Sequence, residues 1–308
     1  MARMRFPLSS RWHRPVIVGL AGIGFLIGFD TLITHLAVDP LADVRAYYTA
    51  GARLNAGLPL YDQPVGTDEA AFYRYPPLLA IVFRPLALLP FEAAALVWEA
   101  FLVAAFAWTL VRLGLRRSDT WLVLGILALP TAWSIAIGQA HVLVTALLAS
   151  ATPFGVAVAA HLKLFPILAG VYWVGRRDWR AIGWLAGWTL GLGLVQFALE
   201  PVGTIAFLRF PSLDQVGAVR NISPYGISPI LWAILLIAGG LLALRLAPSR
   251  WGWAMAVTLV TLATPRLIVY QLSSLLAVLS RPRGEALFGS ERSALADGDD
   301  PPPDRPNT

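Results

Sequence analysis

The chain has 308 residues, of which 57% are hydrophobic and 14% are charged, and its mean hydropathy is +0.65. A soluble domain usually has about 25% charged and about 45–50% apolar residues, so this composition excludes an ordinary soluble protein and predicts a polytopic membrane protein. Without cysteine the chain has no disulfide or thiolate metal site, and its four histidines lack metal-ligand spacing. We therefore expect no metal and no cofactor. We also expect no nucleic-acid partner, because the net charge of +6 is explained by arginines at helix ends.

Apolar runs recur from residue 15 to residue 280, and a helix needs about 20 such residues to cross a bilayer. They predict an all-α bundle of about ten transmembrane segments over residues 15–280. A cytoplasmic segment, 1–14, precedes the bundle, and a disordered cytoplasmic tail, 281–308, follows it. Because arginine clusters mark cytoplasmic ends, residues 38–75 and 199–228 are predicted to form two loops that face each other on the opposite side.

Residues 76–175 allow two threadings through the membrane. In the first, residues 76–90 form a short span and the arginines of 112–117 lie outside. In the second, those arginines lie inside and residues 153–175 form two half-spans around Lys163. Both satisfy the charge rule at the two ends of the region, and we favour the first.

The first of the two loops contains a predicted helix from about Ala42 to Leu54. Helical spacing places Asp43, Tyr47, Ala50 and Leu54 on one stripe, while Arg45 points elsewhere. Asp43 therefore lies at the edge of an aromatic face. An interfacial helix with a tyrosine belt explains the same residues, so composition alone leaves the role of Asp43 open.

Polar residues interrupt the apolar runs at two further places. Lys163 lies about midway through an apolar stretch of some 22 residues, where a lysine costs roughly 2.5–3.5 kcal/mol on insertion scales, so it is a functional candidate by default. Pro166 permits a helix break that would expose Lys163 to a cavity. Gln139 and His141 form a polar island, which suits either a water-filled cleft or an interhelical hydrogen bond.

Several arginines fall on the predicted non-cytoplasmic side, against the usual charge distribution. Arg45, Arg220 and Arg266 are among them, and they surround an acidic loop. Because a guanidinium matches phosphate oxygens with paired hydrogen bonds, these cations indicate an anionic ligand at the outer leaflet. Contact with lipid headgroups explains part of the same pattern.

Five segments in order resemble glycosyltransferase family 87 of the GT-C superfamily, a family of integral membrane mannosyltransferases that use polyprenyl-phosphate-mannose. They are DVRAYYTAGARLNAGLPLYD, YRYPPLLAIVFRPLALLP, IGQAHVLVTALLA, HLKLFPILAGVYWVGRRDWRA and TPRLIVYQLSSLLAVL. The resemblance covers about residues 37–280 and implies that Asp43 is the general base. It also assigns the family's lysine to Lys163 and its glycine–glutamine pair to Gly138 and Gln139.

The resemblance implies inverting transfer of a hexose, expected to be mannose, from a polyprenyl-phosphate donor to a glycolipid or glycan. The implied location is the non-cytoplasmic face of a bacterial plasma membrane. Gln271 departs from the family pattern, because some relatives have an acid or a histidine there. The candidate substrate-binding residues are Arg45, Tyr47, Gln139, His141, Lys163, Arg220, Arg266 and Tyr270. The alternative is a polytopic transporter or lipid flippase, which would also use charges inside the membrane.

Overall fold

A computed structural model describes residues 13–61, 72–209 and 221–282, and those residues form helices and connections without a strand. The predicted all-α class is confirmed. Most of the predicted amino-terminal segment and tail lies outside the described residues. The α-helices are α1 (His13–Val38), α2 (Ala42–Asn55), α3 (Pro77–Leu86), α4 (Phe91–Leu113), α5 (Ser118–Ile126), α6 (Ala128–Ala136), α7 (His141–Ser150), α8 (Pro153–Leu162), α9 (Val171–Gly175), α10 (Trp179–Leu199), α11 (Pro201–Arg209), α12 (Pro229–Leu246) and α13 (Gly252–Leu262), and 3₁₀ helices cover Phe165–Gly170, Pro224–Gly226 and Val269–Leu279.

Four of the described helices are long and apolar enough to cross a membrane, namely α1, α4, α10 and α12. The count is five if α5 and α6, bent by 70° at their junction, form one broken span. These helices identify an integral membrane protein. The remaining apolar helices have only 10–17 residues, so the count of about ten segments stays a prediction.

Helices α2 and α3 pack side by side, and we call this pair the α2–α3 hairpin. Gly51 of α2 packs directly on the backbone of Phe83 in α3, where any larger side chain would collide. At the end of the hairpin, Asn55 Nδ2 donates to the carbonyl oxygen of Arg84 at 2.8 Å, and Arg84 Nε donates back to Asn55 Oδ1 at 3.1 Å. The hairpin therefore holds α2 rigidly against the bundle.

The geometry around α3 favours the second of the two predicted threadings over the first. At 10 residues, α3 is about 15 Å long, which is half the hydrocarbon thickness. Arg112 Nη2 donates to the carbonyl oxygen of Arg281 at 3.0 Å, so residues 112 and 281 lie at the same end of the bundle. The preference for 76–90 as a short membrane span therefore stays a prediction, although the helix of that segment contains Pro85 and packs on α2.

The helix break predicted at Lys163 is confirmed. Thr152 caps the start of α8 by accepting a hydrogen bond from the amide of Gly155, and Pro153 occupies the first turn. The helix ends at Leu162, and Lys163 has extended backbone angles of φ −149° and ψ 116°. The chain then continues as the 3₁₀ helix Phe165–Gly170, so Lys163 lies at the junction of two helices rather than inside one.

The two predicted loops contact each other through aromatic and apolar side chains. The rings of Tyr61, from the first loop, and Phe207, from the second, have centroids 6.0 Å apart. Leu60 packs near Gly203, at a point where an added Cβ would lie 3.4 Å from the leucine side chain. This contact closes one end of the bundle next to α2.

Candidate active site

Asp43 lies in the first turn of α2, with its side chain half-buried at the edge of that helix's buried face. One carboxylate oxygen, Oδ2, accepts a hydrogen bond of 3.0 Å from Gln139 Nε2. No described residue hydrogen-bonds the other oxygen, Oδ1. The backbone amide of Asp43 donates to the carbonyl of Ile137 at 3.1 Å, so α2 is joined to the segment that carries Gln139.

A chain of hydrogen bonds fixes which way the Gln139 amide faces. The amide of Ala140 donates to the Tyr47 hydroxyl at 3.2 Å, and that hydroxyl donates to Gln139 Oε1 at 2.7 Å. Because Oε1 is the acceptor for Tyr47, the NH₂ group of Gln139 faces Asp43. Tyr47 and Gln139 are both completely buried, so this orientation is held by the core. The network therefore presents Asp43 with a donor and favours its ionised form.

Gly138 turns the chain into this network in a conformation that suits glycine. Its φ is +67°, and an added Cβ would collide with the side chain of Val44 and lie 2.5 Å from Glu99 Oε1. Its carbonyl oxygen accepts a hydrogen bond of 2.9 Å from Trp98 Nε1. Glycine is therefore required at residue 138 for two steric reasons: its φ is positive, and there is no room for a Cβ.

Lys163 brings a cation to the same place from the break after α8. Its Nζ is buried and forms no hydrogen bond with any described residue. The ammonium lies 5.2 Å from the centroid of the Tyr75 ring and 5.2 Å from that of the Tyr270 ring, so two aromatic faces attract it. A desolvated ammonium with three unused donors is suited to an anionic ligand.

The charges around Asp43 act in opposite directions. Burial raises the pKa of Asp43 from 3.8 to about 6, while the positive charges of Lys163, Arg266 and Arg74 and the hydrogen bond from Gln139 oppose the rise. Asp43 and Lys163 thus interact electrostatically, yet Lys163 forms no direct ion pair with it. Burial thus disfavours the charge on both side chains, while the charge of each favours that of the other.

His141 begins α7, two residues after Gln139. Its Nε2 lies 2.8 Å from the carbonyl oxygen of Gln271 and 2.6 Å from Ser274 Oγ. Its ring lies 6.3 Å from the Tyr270 ring, the same ring that contacts Lys163. Both His141 and Tyr270 are 7% exposed, so they line the site from its buried side.

The structure brings together most of the predicted site residues that it describes, but it separates Arg45 from them. Arg45 is exposed on another side of α2, with its guanidinium 4.3 Å from the centre of the Phe91 ring, so its contact with substrate stays a prediction. Arg220 lies outside the described residues. Tyr47 is present as a buried support for Gln139, which makes its contribution one of positioning.

Two residues near the site, Tyr75 and Glu99, were missed by sequence reasoning, whereas Arg74 is one of the arginines on the predicted non-cytoplasmic side. Tyr75 contacts Gln139 and Lys163, and Arg74 acts on Asp43 electrostatically. Glu99 lies against Gly138 with Oε1 buried and without a hydrogen-bond partner. A lone acid inside the apolar segment of α4 was a detectable signal, because it is the same signal that singled out Lys163. Among the described residues no group of three histidine, aspartate or glutamate side chains could hold a metal ion.

Comparison with known proteins agrees with the predicted resemblance. A family model described as Glycosyltransferase family 87 matches residues 72–282, a segment that contains Gln139 and Lys163 and begins after Asp43. The chain is similar to the polyprenol-phosphate-mannose-dependent alpha-(1-2)-phosphatidylinositol pentamannoside mannosyltransferase of Mycolicibacterium smegmatis. The two are 32% identical over 206 residues, which cover 60% of this chain and 49% of the relative.

A protein of the same name from Mycobacterium tuberculosis is 30% identical over 248 residues, covering 73% of this chain and 56% of the relative. This chain therefore spans about half the length of the curated relatives that it matches. No solved structure matches it. The matched family segment and the two relatives together establish that the chain belongs to glycosyltransferase family 87.

Proposed function

We propose that this protein transfers mannose from a polyprenyl-phosphate donor to a glycolipid or glycan acceptor. One observation carries the proposal. Asp43 accepts a hydrogen bond from Gln139, and the ammonium of Lys163, which has no hydrogen-bond partner among the described residues, acts on the same carboxylate. The names of the two mycobacterial relatives support the donor and point to a phosphatidylinositol mannoside as acceptor. Membership of a glycosyltransferase family disfavours the transporter and flippase alternative.

In the proposed reaction, Asp43 acts as the general base. An acceptor hydroxyl gives its proton to Asp43 Oδ1, the oxygen that no described residue occupies, as its oxygen attacks the anomeric carbon of mannose. The bond from that carbon to the phosphate oxygen breaks, and polyprenyl phosphate leaves with the electron pair. Direct attack opposite the leaving group inverts the anomeric carbon. General-base catalysis of this kind contributes about 10²–10⁴-fold.

Lys163 and Arg266 serve the leaving group. Negative charge grows on the phosphate as the glycosidic bond breaks, and a cation already fixed in a buried place stabilises it without reorganising. Lys163 meets this requirement because its ammonium is held between the Tyr75 and Tyr270 rings. Arg266 adds charge from the segment before the 3₁₀ helix Val269–Leu279, and it acts on both Asp43 and Lys163.

The donor chemistry also suits the location of the site. A polyprenyl chain dissolves in the bilayer, and the site lies beside helices that are long and apolar enough to span it. The α2–α3 hairpin and the contact between the two loops cover the end of the bundle at which Asp43 lies. We assign this end to the non-cytoplasmic face of the plasma membrane, because Arg112 and Arg281 mark the other end as cytoplasmic.

The test is transfer of radiolabelled mannose by the purified protein in lipid vesicles. Polyprenyl-phosphate-[¹⁴C]mannose is supplied in one arm and GDP-[¹⁴C]mannose in the other, with phosphatidylinositol mannosides as acceptor. We expect labelled acceptor and free polyprenyl phosphate in the first arm only. Transfer from the nucleotide sugar alone, or no transfer in either arm, would contradict the proposal.

A further inference from the structure

The hydrogen-bond partners of His141 determine where its ring proton lies. Nε2 is 2.8 Å from the carbonyl oxygen of Gln271, and a carbonyl oxygen can only accept. Nε2 therefore carries a hydrogen and donates it. Ser274 Oγ, 2.6 Å from the same nitrogen, shares that hydrogen as a second acceptor.

The other ring nitrogen, Nδ1, is left in an unusual state. It is buried in a side chain that is only 7% exposed, and it has no hydrogen-bond partner among the described residues. A second proton on the ring would place a cation beside Lys163, whose charge already acts on His141. The ring is therefore neutral, and Nδ1 presents a lone pair that requires a donor.

The position of His141 shows which part of a substrate could supply that donor. Tyr270 contacts both the His141 ring and the ammonium of Lys163, so the His141 ring lies near the place proposed for the phosphate. Gln139, two residues before His141, holds the proposed base. In any glycosyl phosphate the sugar lies between its phosphate and the hydroxyl that attacks it. Because the His141 ring is close to the residues assigned to both of these partners, the sugar is the part of the substrate nearest to it.

We propose that His141 Nδ1 accepts a hydrogen bond from a hydroxyl of the donor sugar and so selects the sugar that is transferred. This inference rests on the proposed function and adds to it the specificity of the same site. Gln271 and Ser274 are the positioning residues, because they hold the ring in the tautomer with a lone pair at Nδ1. A neutral hydrogen bond of this kind corresponds to about 3- to 10-fold in kcat/KM.

The kinetic test compares polyprenyl-phosphate-mannose with four analogues, each lacking one hydroxyl at position 2, 3, 4 or 6. With the wild-type protein, kcat/KM for at least one analogue should be about 3- to 10-fold lower than for the parent donor. His141→Gln can keep the donor to Gln271 but has no acceptor at the Nδ1 position. In this variant, kcat/KM for the same analogue should equal that for the parent donor. His141→Asn places its amide oxygen near the Nδ1 position and should retain part of the discrimination. Thr49→Ala, an exposed substitution on α2, is the control and should retain all of it.

A second measurement does not depend on turnover or on the stability of variants. With ¹⁵N-labelled histidine, the Nδ1 resonance of wild-type His141, assigned by its loss in His141→Asn, should have the shift of an unprotonated nitrogen. It should move when polyprenyl-phosphate-mannose binds and stay in place with polyprenyl phosphate alone.

The outcomes separate this inference from the proposed function. Wild-type protein that transfers no mannose from the parent donor overturns both. Transfer by wild type with equal discrimination in His141→Gln overturns the inference alone, as does an Nδ1 resonance that ignores the sugar. Removal of a hydroxyl from the acceptor instead of the donor is the last comparison. If His141→Gln abolishes the fall in kcat/KM caused by a deoxygenated acceptor, and not that caused by a deoxygenated donor, His141 binds the acceptor and the donor assignment is wrong.

Discussion

Asp43 has to be ionised to act as a base, and its surroundings bear directly on that requirement. Burial moves its pKa upward to about 6, whereas the hydrogen bond from Gln139 and the nearby cations move it downward. The protonated carboxyl cannot take a proton from the acceptor. In the proposed reaction, the balance among these effects sets the pH at which Asp43 can act as the base.

We predict that the rate of mannose transfer rises as pH increases through about 6, since Asp43 is deprotonated above its pKa. Gln139→Leu removes a hydrogen bond that stabilises the charged form, so the midpoint should move to higher pH. Thr49→Ala, an exposed substitution on the same helix, is the control and should leave the midpoint in place. Single-turnover rates between pH 4.5 and 8.5 measure both. If the midpoint in Gln139→Leu equals that of the wild type, Gln139 does not stabilise the ionised form of Asp43.

Lys163 offers a second prediction at the same scale. Lys163→Met keeps the length of the side chain and removes a charge that has no hydrogen-bond partner among the described residues. The protein should therefore unfold at the same or a higher temperature, while donor affinity falls by about 10-fold or more, as for loss of a charged hydrogen bond. Lys163→Arg should retain part of the affinity because the charge remains. If donor affinity and turnover in Lys163→Met match those of the wild type, Lys163 does not bind the donor.

Among the elements, α2, the break after α8 and a short helix within residues 76–90 were predictable, whereas the packing of that helix on α2 was not. The stripe of Asp43, Tyr47, Ala50 and Leu54 indicated α2 with an end only one residue from the observed Asn55. Pro166 and a lone lysine indicated the break at Lys163. Residues 76–90 have the composition of a membrane span, yet their short helix packs on α2. Composition reports that a segment is buried, and it does not report whether lipid or protein covers it.

The turn at Gly138 connects the element scale to the site. We predict that Gly138→Ala lowers the free energy of unfolding by about 1–3 kcal/mol, the usual cost of a strained backbone, and also slows transfer, because Val44 or Glu99 must move. Gly187→Ala is the matched control. A side chain there meets open space within a helix, so that substitution should be neutral or slightly stabilising. Thermal unfolding in detergent measures both, and a neutral Gly138→Ala would refute the steric account.

For the whole molecule, the site is assembled from segments that are far apart in the sequence. Asp43, Gln139, Lys163 and Arg266 lie on four different segments, and the sequence alone named all four. It could not show that Tyr47 orients Gln139 or that Tyr75 and Tyr270 flank Lys163, because such contacts depend on the packing of distant helices. It also grouped Arg45 with the site, and the structure separates them, because charge on one predicted side of the membrane does not specify direction on a helix.

The orientation of the molecule gives a further prediction. The chain has no cysteine, so single cysteines can be labelled without background. Ala56→Cys, at the exposed end of α2, should react with an impermeant thiol reagent in intact cells. Ser118→Cys, exposed next to the arginines of 112–117, should react only after the membrane is permeabilised. Labelling of Ser118→Cys in intact cells would restore the first threading, with 76–90 as a span.

The most direct test of the account is mannose transfer by Asp43→Asn. Asparagine keeps the volume of the side chain and an acceptor for Gln139 but cannot take a proton at neutral pH. Transfer from polyprenyl-phosphate-mannose should fall by about 10² or more while donor binding persists. Asp39→Asn is the control, because Asp39 lies before the start of α2 and its carboxylate contacts His35 Nδ1 at 2.6 Å, so its loss should cost mainly stability. Near wild-type transfer by Asp43→Asn, or complete loss of transfer in a well-folded Asp39→Asn protein, would contradict the account.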